Sequence, residues 1–314
     1  MVETIPFVAR EDEADKLAWI SALAAAMPAY PPKLFEQLSD AERAAARVAI
    51  VADPDPKDLL KLPNLQWVHS VWAGVERLVT ELPHTGPKIV RLKDPQMAKT
   101  MAEAVLAWTL YLHRDMPRYR RQQDDRVWQK QALALASERT VGLLGMGKLG
   151  SVAAGTLLDQ GFRVCGWSRT AADMGGVQTF HGMAELDGIL SISDILVVLL
   201  PLTAQTHGLL DAQRLSALPR GASVINFSRG PIVETDALVA QLDRGHLDHA
   251  VLDVFDHEPL PAESPLWHHP RITVLPHISA PTTLSTSSAI VAENLRAFFE
   301  TGELPETVDR KTGY

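Results

Sequence analysis

A chain of 314 residues, 46% hydrophobic and 22% charged, is long enough for two domains that each bury a core, and its longest apolar runs fall far short of a membrane span. A formal net charge of −8 excludes the basic footprint of a nucleic-acid binder or of a protein held on an anionic membrane, so any acidic ligand must be met by locally placed cations. The single cysteine, Cys165, excludes an internal disulfide framework and suits a reducing compartment; no basic-then-apolar leader opens the chain, and the expected location is cytoplasmic.

Over the first hundred residues apolar strand signals alternate with helical ones: TIPFVAR at 4–10, a helix at about 12–25, ARVAIVAD at 46–53, LQWVHSV at 65–71 and KIVRL at 88–92. This alternation predicts a small parallel sheet. A long amphipathic pattern follows over 97–122, with Met101, Ala104, Val105, Trp108 and Leu112 near helical spacing, and is expected to carry the chain into a second domain.

The second domain announces itself at TVGLLGMGKLG, 140–150. A short buried-strand signal runs straight into Gly145, Gly147 and Gly150 in G-x-G-x-x-G spacing. The first glycine permits a tight strand-to-helix turn, the second lets backbone approach a pyrophosphate, and the third lets the helix lie close to the sheet. A helix over 148–160 would aim unpaired amides at the phosphates, which makes Met146, Lys148 and Leu149 candidate cofactor contacts as well. FRVCGW at 162–167 completes a βαβ unit. An NAD site asks for an acidic residue at the end of that second strand; Ser168, Arg169 and Thr170 stand there instead. A guanidinium beside small hydroxyls suits a ribose 2′-phosphate, so NADP(H) is expected over NAD(H), the solvated-loop reading of Arg169 being the alternative.

Further strand signals recur at DILVVLL (194–200), ASVINF (222–227), HAVLDVF (249–255) and ITVLPHI (272–278), and a terminal helical pattern covers 282–300. The pattern is that of a doubly wound sheet, in which ligands collect beyond the carboxyl ends of the strands. Three residues there could do chemistry together: Arg229 in NFSRG, Glu258 in DHEPLP and His277 in PHISAP. Reduction of a 2-oxo acid needs a cation to grip the carboxylate and polarise the carbonyl, an acid for the developing alkoxide, and a hydride donor. Histidine titrates near neutrality and can serve in both directions, and a neighbouring carboxylate would raise its pKa. His257, His268 and His269 are read as passive loop residues, no metal pair is evident, and no metal is expected.

The ordered motifs GLLGMGKLG, LLPLTAQT, NFSRGPIVE, LDVFDHEPLP and PLWHHPRITVLPHISA together resemble the D-2-hydroxyacid dehydrogenase family over essentially the whole chain. The resemblance implies an α/β fold: a doubly wound parallel-sheet (Rossmann) dinucleotide-binding domain at 100–284, plus a smaller flavodoxin-like α/β substrate domain built from 1–99 and 285–314. It implies Arg229 as the substrate-binding arginine, Glu258 as the partner of an acid/base His277, Asp253 near the nicotinamide carboxamide, Phe227 and Ser228 at the cofactor, and Pro201 and Thr206 near the adenosine. WAGVERL, GWSRT and MAEAVL are most similar to the glyoxylate/hydroxypyruvate reductase A type, where backbone amides matching Ala73, Gly74 and Val75 meet the substrate carboxylate. Trp72 would narrow the pocket for short oxo acids, core packing being the alternative. A homodimer is implied, with Trp128 either reaching a partner's active site or lying plainly on a surface or interface. Glu234 and Ser279 depart from the family's usual residues without touching the proposed chemistry; Glu258 argues against the formate dehydrogenase branch, and the end at Tyr314 against phosphoglycerate dehydrogenases with an added regulatory domain. The implied activity is NADPH-preferring reduction of glyoxylate to glycolate and hydroxypyruvate to D-glycerate. An NAD-linked dehydrogenase of another 2-hydroxy acid and a dinucleotide-sensing, corepressor-like scaffold remain the alternatives.

Overall fold

In a computed structural model, residues 4–171 and 173–310 are described, and they divide into two compact units, 1–96 with 282–314 and 97–281. The outermost residues of the expected substrate domain, 1–3 and 311–314, lie outside the described residues. The chain passes between the units twice.

The first unit holds strands β1 (Ile5–Ala9), β2 (Pro32–Leu34), β3 (Val48–Ala52), β4 (Trp67–Ser70) and β5 (Lys88–Val90). All pair in parallel, in the order β2-β1-β3-β4-β5, the flavodoxin-like arrangement. Alternation along the strands feeds two cores. Ile5, Phe7, Val48, Ile50 and Ala52 face helices Glu13–Ala26 and Leu284–Thr301 through Trp19, Leu23, Val291 and Leu295, whereas Val8, Ala49 and Val51 face the opposite layer with Leu59, Leu62 and Leu78. Burial on both faces is why these strands read as nearly continuous apolar runs.

The second unit holds β6 (Thr140–Leu144), β7 (Arg163–Ser168), β8 (Val177–His181), β9 (Ile195–Val198), β10 (Ser223–Asn226), β11 (His249–Leu252) and β12 (Ile272–Val274). These form a seven-stranded parallel sheet in the order β12-β11-β10-β9-β6-β7-β8, reversing direction of growth between β6 and β9. That is the doubly wound pattern, with a ligand crevice expected outside the carboxyl ends at the reversal. Leu144, Leu196, Val198, Val224 and Leu252 face one layer of helices, and Val141, Leu143, Val197, Ile225 and Val251 face the other.

One expectation is corrected, and two strands are added to those expected. The pattern over 97–122 is two helices, Pro95–His113 and Met116–Asp124, separated at Asp115, which sits at φ 54°. Pro117 explains the break: in an unbroken helix its ring would meet the His113 carbonyl and it has no N–H to donate, whereas at the start of a new helix both problems vanish. Strands β2 and β8 had no sequence signal strong enough to predict them. Both lie at sheet edges; one is three residues beginning with proline, and the other is nowhere fully buried.

Candidate active site

Beyond β6 the chain turns at Gly145, φ +111°, where an added Cβ would come within 2.7 Å of the Leu199 carbonyl oxygen. A Cβ on Gly150 would overlap the Gly145 carbonyl oxygen, so the helix Lys148–Asp159 approaches the turn as closely as backbone allows. Gly147 differs: nothing lies within 4 Å of a Cβ added there, and as N-cap it offers no side-chain acceptor to the first-turn amides. Open space in front of uncapped amides fits a pyrophosphate. Met146 packs back against Gly166, which has no room for a side chain, while Lys148 is exposed and Leu149 half-buried.

At the end of β7, Ser168 Oγ donates to the Thr170 carbonyl at 2.6 Å, shaping a short turn that leaves Arg169 and Thr170 exposed. This segment carries a guanidinium and hydroxyls and no carboxylate. It fits a phosphorylated ribose better than a bare 2′-hydroxyl. After β9 the loop is tied by Thr206, whose Oγ1 donates to the Pro201 carbonyl at 2.6 Å and accepts from the Thr203 amide at 2.8 Å. Phe227 is buried in the core, so only its backbone is open to a ligand, and buried Ser228 donates from Oγ to the Leu200 carbonyl.

The three residues expected to act together come from the loops after β10, β11 and β12. Gly230 brings the first two loops into contact, since a Cβ there would run into the Phe255 backbone. Asn226 Nδ2 donates to the Arg229 carbonyl at 3.1 Å, and Arg229 Nη1 donates to the Ser228 carbonyl at 2.7 Å. Glu258 uses both oxygens: Oε1 accepts from the Phe255 amide at 2.9 Å and Oε2 meets His277 Nδ1 at 2.7 Å. The second contact fixes the ring and leaves Nε2 as the nitrogen available to a substrate.

Electrostatics follow from this packing. The hydrogen bond to Glu258 raises the His277 pKa above its ordinary value; partial burial opposes the rise, the Glu258 charge adds to it, and Arg229 counters it. That Arg229 acts on both His277 and Glu258 puts its guanidinium within their electrostatic reach. Burial by itself would push the Glu258 carboxyl up, but the hydrogen bonds from His277 and the Phe255 amide hold it below the usual carboxylate range.

One arrangement had no counterpart in the sequence reading. Asp253, the first residue past β11, is fully buried, and its two oxygens accept from the backbone amides of Ile278 at 2.7 Å and Ser279 at 2.8 Å. His277, immediately before them, sits at φ 55°, a left-handed conformation unusual for a side chain of this size. Asp253 therefore grips the loop by its backbone while Glu258 grips the ring. The available signal was an ionisable residue directly closing a buried apolar strand, in HAVLD. Ser279, whose side chain was set apart from the chemistry, contributes through its amide.

In the other unit, Trp72 packs partly buried against the core beneath β1 and β3, and its amide donates to Ser70 Oγ at 3.0 Å. The segment 73–75 runs from a bend at 71–73 into the short helix Glu76–Glu81, with Ala73 and Gly74 half-buried and Val75 buried. His269 has a partner the sequence did not reveal: its Nε2 meets Asp243 Oδ1 at 3.2 Å and its Nδ1 accepts the Arg271 amide. Cys165 is buried, and burial pushes its thiol up to about 11, so it packs rather than reacts at neutral pH. Among the described residues no helix is long and apolar enough to cross a membrane.

Residues 106–279 match the family described as D-isomer specific 2-hydroxyacid dehydrogenase, NAD binding domain. The chain belongs to the D-isomer specific 2-hydroxyacid dehydrogenase family. Among solved structures, it is similar over 100% of both chains, with 39% identity and a TM-score of 0.91, to a D-isomer specific 2-hydroxyacid dehydrogenase of Xanthobacter autotrophicus Py2 in complex with NADPH and MES. It is 32% identical, covering 99% of its own length and 100% of the other's with a TM-score of 0.90, to the NADPH-dependent glyoxylate/hydroxypyruvate reductase of Sinorhizobium meliloti in complex with NADP and sulfate. A probable 2-hydroxyacid dehydrogenase of Rhizobium etli CFN 42, in complex with NADP, HEPES and L(+)-tartaric acid, is 31% identical over 100% of both chains with a TM-score of 0.89. The 2-hydroxyacid dehydrogenase described here is thus an NAD(P)-dependent oxidoreductase, and its glycine turn and the loops after β10, β11 and β12 all lie at the carboxyl edge of one sheet.

Proposed function

We propose that this dehydrogenase is an NADPH-preferring reductase of small 2-oxo acids, with glyoxylate and hydroxypyruvate as its first substrates, yielding glycolate and D-glycerate. The observation that carries the reading is the 2.7 Å contact between His277 and Glu258 within the field of Arg229, on the same sheet edge as the glycine turn. The carbonyl carbon would take its hydride from a reduced nicotinamide cofactor held at the glycine turn. Arg229 pairs with the substrate carboxylate and draws charge toward the carbonyl oxygen. His277, protonated on both nitrogens, gives its Nε2 proton to the oxygen as negative charge builds there, and Glu258 stabilises the imidazolium beforehand. Asp253 holds the loop so that the imidazole is presented in one orientation. In the oxidative direction His277 must start neutral.

Gly145, Gly147, Gly150 and the amides following them are the proposed pyrophosphate cradle, with Ser168, Arg169 and Thr170 at the ribose 2′-phosphate. Unit 97–281 is then the dinucleotide-binding domain. The unit carrying 73–75 is the substrate domain, and its Ala73, Gly74 and Val75 amides are proposed partners of the substrate carboxylate. The relatives solved with NADPH or NADP support the cofactor choice. A homodimer is supported by Trp128, 97% exposed, and by exposed Val127, Leu133 and Leu135 close to it in sequence, apolar side chains that a second copy would cover.

The test is a panel of 2-oxo acids assayed with both reduced cofactors. Glyoxylate and hydroxypyruvate should give the highest kcat/KM, and NADPH should outperform NADH in the native protein, with the preference collapsing in Arg169→Ala through a rise in the KM for NADPH. Equal use of both cofactors by the native protein, or an unchanged preference in the variant, would reject the cofactor assignment. Sedimentation velocity of native protein and Trp128→Ala tests the dimer.

A further inference from the structure

The active-site loops all leave the carboxyl ends of the second sheet; the opposite, amino edge carries a separate concentration of arginines. Arg139 immediately precedes β6, Arg220 lies in the turn before β10, Asp248 precedes β11 and Arg271 precedes β12. With Arg118, from the helix Met116–Asp124, and with Asp115 they line two adjoining hollows of about 320 and 420 Å³. Four-residue strands rising about 3.3 Å per residue set this edge more than 10 Å from the catalytic loops.

Charge within the hollows is unbalanced. Asp248 is already taken: its Oδ1 accepts from Arg271 at 3.1 Å and lies 3.6 Å from Arg121. Arg118 is engaged by the neutral side chain of Gln131 at 2.7 Å. Arg139 Nε is a buried donor with no hydrogen-bond acceptor among the described residues. Arg220 is exposed, and no ion-pair partner for it is found among the described residues. So three arginines line one hollow against two carboxylates, of which Asp248 is already paired, in a protein whose overall charge is −8.

Neighbouring groups respond to that excess. His113 is held below its ordinary pKa by burial and then by Arg139 and Arg114, and its Nδ1 has no hydrogen-bond partner among the described residues. His249 is pushed down to about 4 by burial, with Arg121 and Arg271 adding and Asp248 opposing. Arg121 itself is lowered first by burial, with Asp248 opposing and Arg271 and Arg118 adding. Arginines gathered around a hollow with too few free carboxylates leave a local positive charge that a bound anion would offset.

We propose that this arginine-lined hollow is a second anion-binding site, taking a small metabolite that carries at least two phosphate or carboxylate groups. Planar guanidinium forks suit both groups bidentately, and the volume accommodates a molecule of that size. Because the site opens on the edge remote from the catalytic loops, its ligand need not compete with cofactor or substrate.

Isothermal titration with pyrophosphate and with citrate, each with and without saturating NADPH, tests the proposal on native protein and on Arg118→Ala/Arg220→Ala. Both substituted side chains are exposed and away from the catalytic loops, so folding and NADPH affinity should be unchanged. Native protein should bind at least one probe when NADPH is saturating, at least tenfold more tightly than the double variant; the probe preferred tells phosphate esters from polycarboxylates. Arg118→Lys/Arg220→Lys, which keeps charge but loses the fork, should fall between the two. Equal affinity in native and variant protein, or anion binding abolished by NADPH, would overturn the site. So would a double variant that dissociates from dimer to monomer while binding the probes normally, since the arginines would then serve a second copy of the chain. Should NADPH fail to bind at all, the dehydrogenase reading is what suffers, and the native-against-variant comparison with pyrophosphate and citrate still decides the anion site.

Discussion

At the residue scale the chemistry rests on His277 being charged before substrate arrives. Its pKa is raised by Glu258 first of all, so reduction should be flat with pH below that raised value and fall as pH climbs through it, while oxidation, which needs the neutral ring, should rise over the same interval. Glu258→Gln keeps a hydrogen-bond acceptor and removes the charge, so the falling limb of reduction should move to lower pH. Each unit moved corresponds to about 1.4 kcal/mol lost from the imidazolium. His277→Ala should cost about 10²–10⁴-fold in kcat with NADPH affinity preserved, and near-normal turnover would remove it from the mechanism. The same pair contributes to folding stability in a defined window. His277, raised on folding, stabilises fully below its unfolded pKa and loses that contribution as pH rises through the folded value; Glu258, lowered on folding, stabilises above its unfolded pKa and loses that as pH falls through the folded one. Asp253→Asn attacks the loop from below: an amide can accept one backbone N–H but turns its own donor toward the other. A buried mismatch of this kind should cost about 1–3 kcal/mol in chemical denaturation and lower kcat more than it raises the KM for NADPH. Arg229, Glu258 and His277 were legible because each follows an unmistakable apolar strand. The hold of Asp253 on 278–279 was not, because it depends on a left-handed backbone at His277 that no residue type in PHISA announces.

At the element scale the glycine turn separates two demands that the motif conflates. Gly150→Ala places a Cβ into the Gly145 carbonyl and must displace the helix Lys148–Asp159, so it should lower Tm and NADPH affinity together. Gly147→Ala meets nothing within 4 Å, so Tm should hold while the Kd for NADPH rises at least tenfold, because the methyl group enters the space proposed for the pyrophosphate. A Tm loss in both would mean that Gly147 serves the fold alone. Legibility at this scale tracked burial: runs such as ILVV and SVIN, buried on both faces, betray their strands, whereas VQTFH at an edge has neither the apolar run nor a strict alternation. The break at Asp115 was visible only in Pro117, and apolar spacing on its N-terminal side masked it.

At the scale of the whole molecule, each unit has two cores of its own: among the described residues, the buried members of the two clusters flanking the first sheet come from 5–90, 291–298 and 308, and those of the two flanking the second from 101–272. Yet the units are unequal as chain. One is continuous, 97–281, whereas the other is assembled from both ends of the sequence. Residues 95–281 expressed alone should therefore fold, because every strand of the seven-stranded sheet and both of its helical layers lie within them. If that unit is the dinucleotide-binding domain, NADPH should stabilise the fragment by mass action, by about 2.7 kcal/mol at a concentration a hundredfold above its Kd, visible as a rise in Tm. Glyoxylate added to the fragment should produce no turnover, since 73–75 are missing. A fragment that folds cooperatively but gains nothing from NADPH would refute the cofactor assignment while leaving the fold intact, and one that never folds cooperatively would show that the second sheet depends on the first despite its self-contained cores.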